Sequence, residues 1–362
     1  MKKPICVLLA AVLSAAVISG CTENEPDSTA SKTESKAVSS VDTSVAESSE
    51  ASPEESSQTE QSEPVSESDS SSKAEEKPSE MSDYAPAMWT VSDDKGHEIT
   101  LLGSMHALNE EDYPLPAEIT KRYDAADVLA VECDITSDES TKLGLSLMKE
   151  AYYKDGTTIK DHISEEAYEI LSSYLADTQY DLAMFEKLKT WMIESLVEEV
   201  GMEASGLDSG KGIDRYLLTQ AHESGKEIYE VESVEFQIDM LMGFSDEIYD
   251  MTFRSLEEYT PADYASELIK LHDAWRVGDL EGIEGSDDEM TEDISAEDQA
   301  LLDEYNKAML DDRNEGMEEC IKEMLSDGEN VFFVVGAAHY VGEKGIIALL
   351  ENDGYKVERV VY

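Results

Sequence analysis

Two histidines in this sequence follow apolar runs at the same spacing from a glycine. Gly103 and His106 lie in the stretch EITLLGSMH, and Gly336 and His339 lie in NVFFVVGAAH. A glycine permits backbone conformations closed to other residues and lets a ligand approach closely. A neutral imidazole nitrogen binds transition metals and moves protons near pH 7. If the two units meet, the repeated Gly-x-x-His pattern predicts a shared site for metal binding or proton transfer.

Two glutamates could complete such a site. Glu132 interrupts the apolar stretch VLAVEC, where a charge is costly unless it is paired or coordinated. Two histidines and a carboxylate suit Zn, Mn, Fe or Co. Glu132 could equally be the partner of a buried arginine. Glu232 ends the stretch YEVE in a similar way, and it either belongs to the site or caps a helix that begins near Val234.

Alternating strands and helices must position these residues. Runs at 88–91 and 98–102 predict a β-hairpin. Further strands are expected at 128–134, 226–231, 331–335 and 355–361. Helical periodicity is found in 139–205, 212–225 and 235–325. Strand, Gly-x-x-His, loop, helix and strand thus follow one another twice, and such crossovers favour parallel strands with ligand loops at their carboxyl ends. We therefore expect an α/β fold, or α+β if the sheet proves mixed, with both units in a central sheet and long helical insertions.

The N-terminus has the layout of a lipoprotein signal. Lys2 and Lys3 precede an apolar run at 5–18, and the sequence Ser-Gly-Cys follows at 19–21. Residues 1–21 are therefore expected to be a signal peptide, with Cys21 as the lipidated first residue of the mature chain. A plain signal peptide or an uncleaved anchor is the alternative. With the lipoprotein signal, we expect the protein outside the cytoplasm, attached to a membrane only through the lipid on Cys21.

Composition divides the rest of the chain. Residues 22–85, rich in Ser and Glu, bury too little apolar surface to fold alone, so we expect an acidic disordered linker. Residues 86–362 form the folded part. The formal net charge of −56 argues against nucleic acid or an anionic membrane surface as a partner. Cys133 and Cys320 could pair, although the apolar surroundings of Cys133 favour a buried free thiol.

Several blocks together resemble the TraB/PrgY/GumN family, which includes the Tiki-type metalloproteases. The resemblance covers most of 87–362. Its blocks are the opening hairpin with the first Gly-x-x-His, Tyr113-Pro114-Leu115-Pro116, Val128 to Glu132, Gly212-Ile213-Asp214 through Glu232 and Gln237, Arg313-Asn314, and the second Gly-x-x-His. The chain departs from the pattern at Lys189, where proline is expected before Trp191, and at Met317, where an aromatic residue is common.

The resemblance implies an extracytoplasmic metal-dependent hydrolase, and more narrowly a peptidase acting on a peptide or protein substrate. His106 and His339 would bind Mn, Co or Zn, with Glu132 as a third ligand or as the base that activates water. Arg313 would stabilise an oxyanion or orient a substrate carboxylate, and Glu232 would tune a histidine. The alternative is a lipoprotein that binds a peptide pheromone or another small ligand without chemistry.

Overall fold

The computed structural model describes residues 84–288 and 294–362. The predicted signal peptide 1–21, its lipidation site Cys21 and the linker as far as residue 83 lie outside the described residues. Within the two described ranges, no helix has the length and apolar character needed to cross a membrane.

A mixed six-stranded sheet organises the described part of the chain. Its strands are β1 (Met88–Ser92), β2 (Glu98–Ser104), β3 (Val128–Val131), β4 (Glu227–Glu230), β5 (Val331–Gly336) and β6 (Lys356–Arg359). They lie in the order β4-β3-β5-β2-β1-β6. Strand β1 pairs antiparallel with β2 and β6, whereas β4, β3, β5 and β2 pair in parallel. The predicted hairpin of β1 and β2 is confirmed.

Helices fill the connections between the strands, as expected for an α/β fold with long helical insertions. They are α1 (Ala117–Ala125), α2 (Asp138–Leu147), α3 (Glu165–Leu175), α4 (Leu182–Phe185), α5 (Thr190–Ser205), α6 (Ile213–Ser224), α7 (Val234–Gly243), α8 (Asp246–Ser255), α9 (Pro261–Val277), α10 (Leu280–Asp288), α11 (Ala296–Asn306), α12 (Asp312–Asp327) and α13 (Ile346–Asn352). A π-helix, Lys307–Asp311, joins α11 to α12. The fold class is therefore confirmed, with a sheet that is mixed because β1 runs against its neighbours.

The two strands that lead to the histidines lie side by side. Strand β5 pairs in parallel with β2, and the register sets Gly103 opposite Val335 and Ser104 opposite Gly336. All six residues of β5 are buried, as the unbroken apolar run requires for a strand covered on both faces. Because the strands are parallel, both histidine loops emerge at the same edge of the sheet.

Each face of the sheet carries its own hydrophobic core. On one face, Leu102, Phe332 and Val334 pack with residues of the helical insertions, including Trp275. On the other, Leu101 and Phe333 pack with residues of α12 and α13. The alternation of side chains along each strand produces this division. The sheet is thus held from both sides while its carboxyl edge stays open for a site.

All six strands differ from their predicted ranges: β1, β2 and β5 extend one or two residues further, and β3, β4 and β6 are shorter. The strand predicted at 128–134 ends at Val131, the one at 226–231 is Glu227–Glu230, and the one at 355–361 is Lys356–Arg359. Glu132 therefore lies just beyond its strand rather than within it. The two crossovers do join parallel strands, but neither pair is adjacent, because β5 separates β2 from β3 and two strands separate β5 from β6.

Candidate functional site

His106 leaves the sheet two residues beyond the end of β2. The backbone before it is fixed from α6, because the Ile213 amide donates to the carbonyl oxygen of Met105 at 3.1 Å. Its Nδ1 lies 2.8 Å from Asp214 Oδ2, an ion-pair distance. Its Nε2 is buried and has no hydrogen-bond partner among the described residues. Since a buried nitrogen without a partner is destabilising, this atom is a natural ligand position.

Gly212 lets α6 approach the His106 loop closely. A Cβ atom on Gly212 would lie 2.2 Å from the carbonyl oxygen of His106, so a larger residue would force the two segments apart. Asp214 follows in the first turn of α6, where the helix dipole stabilises a carboxylate. The close approach at Gly212 is what brings Asp214 to the imidazole.

His339 lies in a short 3-10 helix, Ala337–Tyr340, that begins directly after β5. Its Nδ1 is 2.7 Å from Asn314 Oδ1, and Asn314 Nδ2 donates to the carbonyl oxygen of Lys344 at 3.1 Å. Because the amide nitrogen is committed to Lys344, the amide oxygen must accept from His339 Nδ1–H. This network assigns the proton to Nδ1 and leaves a lone pair on His339 Nε2.

Glu132 reaches the site from the end of β3. Its Oε1 accepts a hydrogen bond from the Gly336 amide at 2.7 Å and lies 3.8 Å from His339 Nε2. Its Oε2 accepts from Arg313 Nη2 at 2.6 Å and from Gln237 Nε2 at 3.1 Å. The alternative that Glu132 pairs with a buried arginine is therefore realised, and Oε1 remains next to the histidines.

Arg313 is buried at the start of α12 and is surrounded by acceptors. Beyond Glu132, its Nε and Nη2 donate to Glu232 at 2.8 and 2.9 Å. Its Nη1 donates to the carbonyl oxygen of Met309, in the π-helix, at 3.1 Å. Most of its donors are thus committed within the protein. In this arrangement Arg313 orients Glu132, and only Nη1 retains a hydrogen for another acceptor.

Of the two alternatives for Glu232, the structure excludes the helix cap. Helix α7 is capped by Ser233, whose hydroxyl accepts from the Phe236 amide at 3.0 Å. Glu232 instead accepts from Gln237 Nε2 at 2.8 Å as well as from Arg313. One guanidinium and one amide therefore link the two glutamates into a single buried network.

Gly336 lies where the candidate site residues converge. A Cβ atom on Gly336 would lie 3.3 Å from Glu132 Oε1, 3.3 Å from His106 Nε2 and 3.5 Å from His339 Cδ2. Its φ of −49° is accessible to any residue. The requirement for glycine is therefore space rather than unusual backbone conformation. The predicted convergence of His106 and His339 is realised at this point.

The pKa values of the ionisable groups in the site are shifted in different directions. Burial raises the pKa of Glu132, but the Arg313 guanidinium and the nearby histidines outweigh it and lower the pKa to about 2. Burial, followed by Arg313, lowers the pKa of His339 to about 3. Burial also lowers the pKa of His106, but the Asp214 carboxylate outweighs it, so the net shift is upward. The site thus combines an ionised carboxylate with a neutral His339.

A cavity of about 790 Å³ opens beside both histidines. Apolar side chains form part of its lining, namely Met202, Leu268, Leu271, Trp275, Ile283, Met309, Leu310 and Val341. Charged side chains of both signs line it too, namely Glu284, Asp303, Asp311, Glu343, Lys307, Arg313 and Lys344. The volume is in the range of small-molecule and cofactor sites. A ligand in this cavity would meet apolar side chains, charged groups of both signs and the two imidazoles.

The donor chemistry fits a transition metal, although the described side chains are not arranged as a metal centre. Among residues 84–288 and 294–362, no group of three or more His, Cys, Asp or Glu side chains has an arrangement able to hold a metal ion. The two oxygens of Glu132 already accept hydrogen bonds. His106 Nε2, in contrast, is buried without a partner. Two imidazole nitrogens and a nearby carboxylate oxygen form a donor set suited to such a metal.

Three contacting residues were not predicted as site residues, namely Asp214, Asn314 and Gln237. Asp214 follows Gly212 at a helix start, and Asn314 is adjacent to Arg313, so their positions carried a signal. Their contacts depend on which strands are neighbours, and the sequence does not reveal that order. Cys133 and Cys320 are both free thiols, which confirms the buried free thiol expected at Cys133.

Comparisons with known proteins agree with these features. The model of the TraB/PrgY/gumN family matches residues 87–359. The chain is 27% identical over 146 residues to the uncharacterized protein YbaP of Escherichia coli, which covers 40% of this chain and 52% of that protein. It is also 27% identical over 165 residues to the metalloprotease TIKI1 of Danio rerio, which covers 40% of this chain and 33% of that protein.

The chain spans about half the length of YbaP, and less of TIKI1. No solved structure matches it significantly. The family match, however, extends from the first strand of the sheet to the last, and it includes both histidine loops. The chain therefore belongs to the TraB/PrgY/gumN family.

Proposed function

We propose that this protein is a metal-dependent hydrolase that cleaves peptide bonds. The observation that carries the proposal is the meeting of His106 Nε2, His339 and Glu132 Oε1 around Gly336. A relative named as a metalloprotease supports it. The site geometry supports metal-dependent hydrolysis, and the choice of a peptide bond as substrate rests on this relative, which matches 40% of the chain.

The charges around the site favour a divalent cation. Glu132, Glu232 and Asp214 bring three carboxylates, and Arg313 brings one guanidinium, all in contact with one another or with the histidines. The three carboxylates therefore outnumber the guanidinium by two. Buried charge is costly unless it is balanced. A divalent ion at the histidines would supply that balance.

His106 Nε2 and His339 Nε2 would hold the metal, with Glu132 Oε1 beside them. When bound, such an ion polarises a carbonyl group and lowers the pKa of water. Asp214 and Asn314 fix the two rings through Nδ1, which is the usual function of groups behind metal-binding histidines. Arg313 and the Gly336 amide orient Glu132, so Oε1 serves as a third ligand or accepts the proton of the attacking water.

Metal content is the first test of this function. Purified full-length protein, loaded in turn with Mn, Co and Zn, is compared with its His106→Ala/His339→Ala variant by elemental analysis. We expect a near-stoichiometric metal that the variant loses. His97→Ala is a matched control, because His97 pairs with Asp93 in the hairpin turn, away from the site. Absence of metal from the wild-type protein after loading would refute the proposal.

Peptide cleavage is the second test. A peptide library is incubated with the loaded wild-type protein and with Glu132→Gln and Glu132→Ala variants. If Glu132 accepts a proton, Glu132→Gln should retain metal and lose turnover. If Glu132 is a ligand, both variants should lose metal. Wild-type turnover in either glutamate variant would contradict both assignments.

A second candidate function is ligand binding without chemistry. It is favoured by the commitment of both Glu132 oxygens and most of the Arg313 donors to contacts inside the protein. In that case the cavity would capture a peptide or another small ligand. A chelator separates the two functions: it should abolish peptide cleavage by a hydrolase, whereas a binding protein would show at most a change in thermal stability and no cleavage to lose.

The location outside the cytoplasm is also a proposal. A lipid on Cys21 would hold the folded part of the chain at a membrane surface. Metabolic labelling with a fatty acid should mark the wild-type protein, and Cys21→Ser should abolish the label and release the protein from the membrane fraction. An unlabelled wild-type protein would refute the anchor without affecting the hydrolase proposal.

A further inference from the structure

Ser104 carries a hydroxyl group for which the described part of the chain provides no partner. Its side chain is 2% exposed, and Oγ has no hydrogen-bond partner among the described residues. It is the last residue of β2 and lines the cavity that also contains His106 and His339. Because a buried hydroxyl without a partner is destabilising, its partner is expected to enter from the cavity, as water or as a ligand.

The backbone holds Ser104 firmly at the edge of the site. Ser104 lies opposite Gly336 in the parallel pair of β2 and β5. Trp275 Nε1 donates to the carbonyl oxygen of Gly103, the preceding residue, at 2.9 Å. The hydroxyl is therefore presented from a fixed strand end rather than from a loop. Ser104 lines the same cavity as Gly336, and His106 Nε2 and Glu132 Oε1 converge at the Cβ position of Gly336.

The surroundings of Ser104 define the ligand group that it could bind. Strand alternation places Ser104 on the face of Leu102, which belongs to the core cluster of Met202, Leu268 and Trp275. Met202, Leu268 and Trp275 also line the cavity. A neutral hydroxyl beside apolar side chains suits an uncharged oxygen that sits next to an apolar group. A peptide carbonyl followed by an aliphatic side chain has this combination.

We propose that Ser104 Oγ donates a hydrogen bond to the carbonyl oxygen of an acyl substrate whose neighbouring side chain is apolar. This inference rests on the proposed hydrolase function and deepens it. If the carbonyl is the one that reacts, the hydrogen bond strengthens as negative charge develops on the oxygen, so the effect falls mainly on kcat. If it is a neighbouring carbonyl, the effect falls mainly on KM.

The kinetic test compares Ser104→Ala, which removes the hydroxyl, with Ser104→Thr, which keeps it. For a substrate cleaved by the metal-loaded wild-type protein, Ser104→Ala should lower kcat/KM by roughly 100- to 1,000-fold if the reacting carbonyl is bound, and by roughly 3- to 10-fold if a neighbouring carbonyl is bound. Ser104→Thr should recover most of the loss. Metal content should be unchanged in both. Ser195→Ala is the matched control, because its buried hydroxyl donates to the carbonyl oxygen of Trp191 within α5. Wild-type kcat and KM in Ser104→Ala would overturn the inference and leave the hydrolase function intact.

A binding measurement covers the case in which no peptide is cleaved, which would be a failure of the proposed function itself. N-acetyl-leucinamide is a suitable probe, since it combines carbonyl oxygens with an aliphatic side chain and lacks a chelating group that would bind the metal. Calorimetric titration of the metal-loaded full-length protein should show weaker binding to Ser104→Ala, by roughly 3- to 10-fold for one neutral hydrogen bond. Equal affinity of the wild type and Ser104→Ala, or no binding to either, would overturn the assignment of Ser104.

Discussion

The two Gly-x-x-His loops of this protein begin alike and end in different surroundings. Both leave neighbouring parallel strands at one edge of the sheet, and both histidines are fixed through Nδ1. His106 is fixed by the carboxylate of Asp214, whereas His339 is fixed by the amide of Asn314. The positive charge of Arg313 also acts on His339, where it is the second largest cause of the lowered pKa after burial. The same motif therefore supplies one imidazole whose pKa is raised and one that stays neutral.

This difference has a structural origin. Asp214 comes from the N-terminal turn of α6, which Gly212 admits to the first loop. Asn314 comes from α12, which also carries the buried Arg313 on the other side of the sheet. A carboxylate in place of Asn314 would add a further acid near Glu132 and Glu232. An amide there fixes the ring without increasing the negative charge of the network.

The largest effect is expected when Arg313 is removed, because it neutralises the side of the site that contains His339. Arg313→Met would leave Glu132 and Glu232 buried without a cation, which should lower the free energy of unfolding by about 3–5 kcal/mol. Urea denaturation measures this. Arg254→Met is the control, since its pair with Asp298 is partly exposed and should cost about 1 kcal/mol or less. An equal decrease in the free energy of unfolding in the two variants would contradict the assignment of Arg313 as the buried counter-ion of Glu132 and Glu232.

Exchanging the partners of the two rings should have the next largest effect. Asp214→Asn makes the first loop resemble the second, and it should weaken metal binding by about 10- to 100-fold. Asn314→Asp makes the second loop resemble the first. Competition with a chelating dye measures both affinities. Asp208→Asn is the control, because it removes a charge from the exposed turn just before α6 and should leave metal affinity unchanged. A loss of metal affinity equal to that of Asp214→Asn would indicate a general effect of charge.

The two glycines of the motifs should respond differently to the same substitution. Gly103→Ala would place a Cβ 3.1 Å from two atoms of Ala337, so strain should cost about 1–3 kcal/mol of stability. Gly336→Ala would crowd His106 Nε2 and Glu132 Oε1, and it should impair metal binding more than stability. Thermal unfolding and metal titration measure the two properties. Gly144→Ala is the control, because its Cβ would meet nothing within 4 Å and alanine should be neutral or stabilising in its helix. Equal changes in stability and in metal binding for Gly103→Ala and Gly336→Ala would contradict the different roles of the two glycines.

Proton titration of the metal-free protein should show the smallest but most direct difference. His106 should titrate above its usual pKa of 6.5, so its protonation contributes stability below pH 6.5 that is lost as the pH rises through the folded-state pKa. His339 should stay neutral until about pH 3, so stability falls between pH 6.5 and 3 as the unfolded chain takes up the proton. Two-dimensional NMR of the imidazole signals measures both. Coincident titration of the two rings would refute the asymmetry.

The sequence was sufficient for the local elements but not for their assembly. The hairpin, the helix predicted at 212–225 and the buried strand before His339 follow from turn residues and apolar runs, which act over a few positions. Glu132 could be singled out because a charge in an apolar run requires a partner. That the partner is Arg313 depends on β5 lying between β2 and β3, which no local pattern encodes. Asp214 and Asn314 were missed as site residues for the same reason.

The position of β5 also bears on how the protein reaches its folded state. This strand occupies a central place in the sheet although it lies near the end of the chain, and the Gly336–Glu132 hydrogen bond joins residues 204 positions apart. Contacts of such long range form slowly, because a large loop must close first. A nascent chain would therefore carry β2 and β3 without their shared neighbour until residues 331–336 have been synthesised. Removal of residues 331–362 would take away β5 itself, and with it the centre of the sheet.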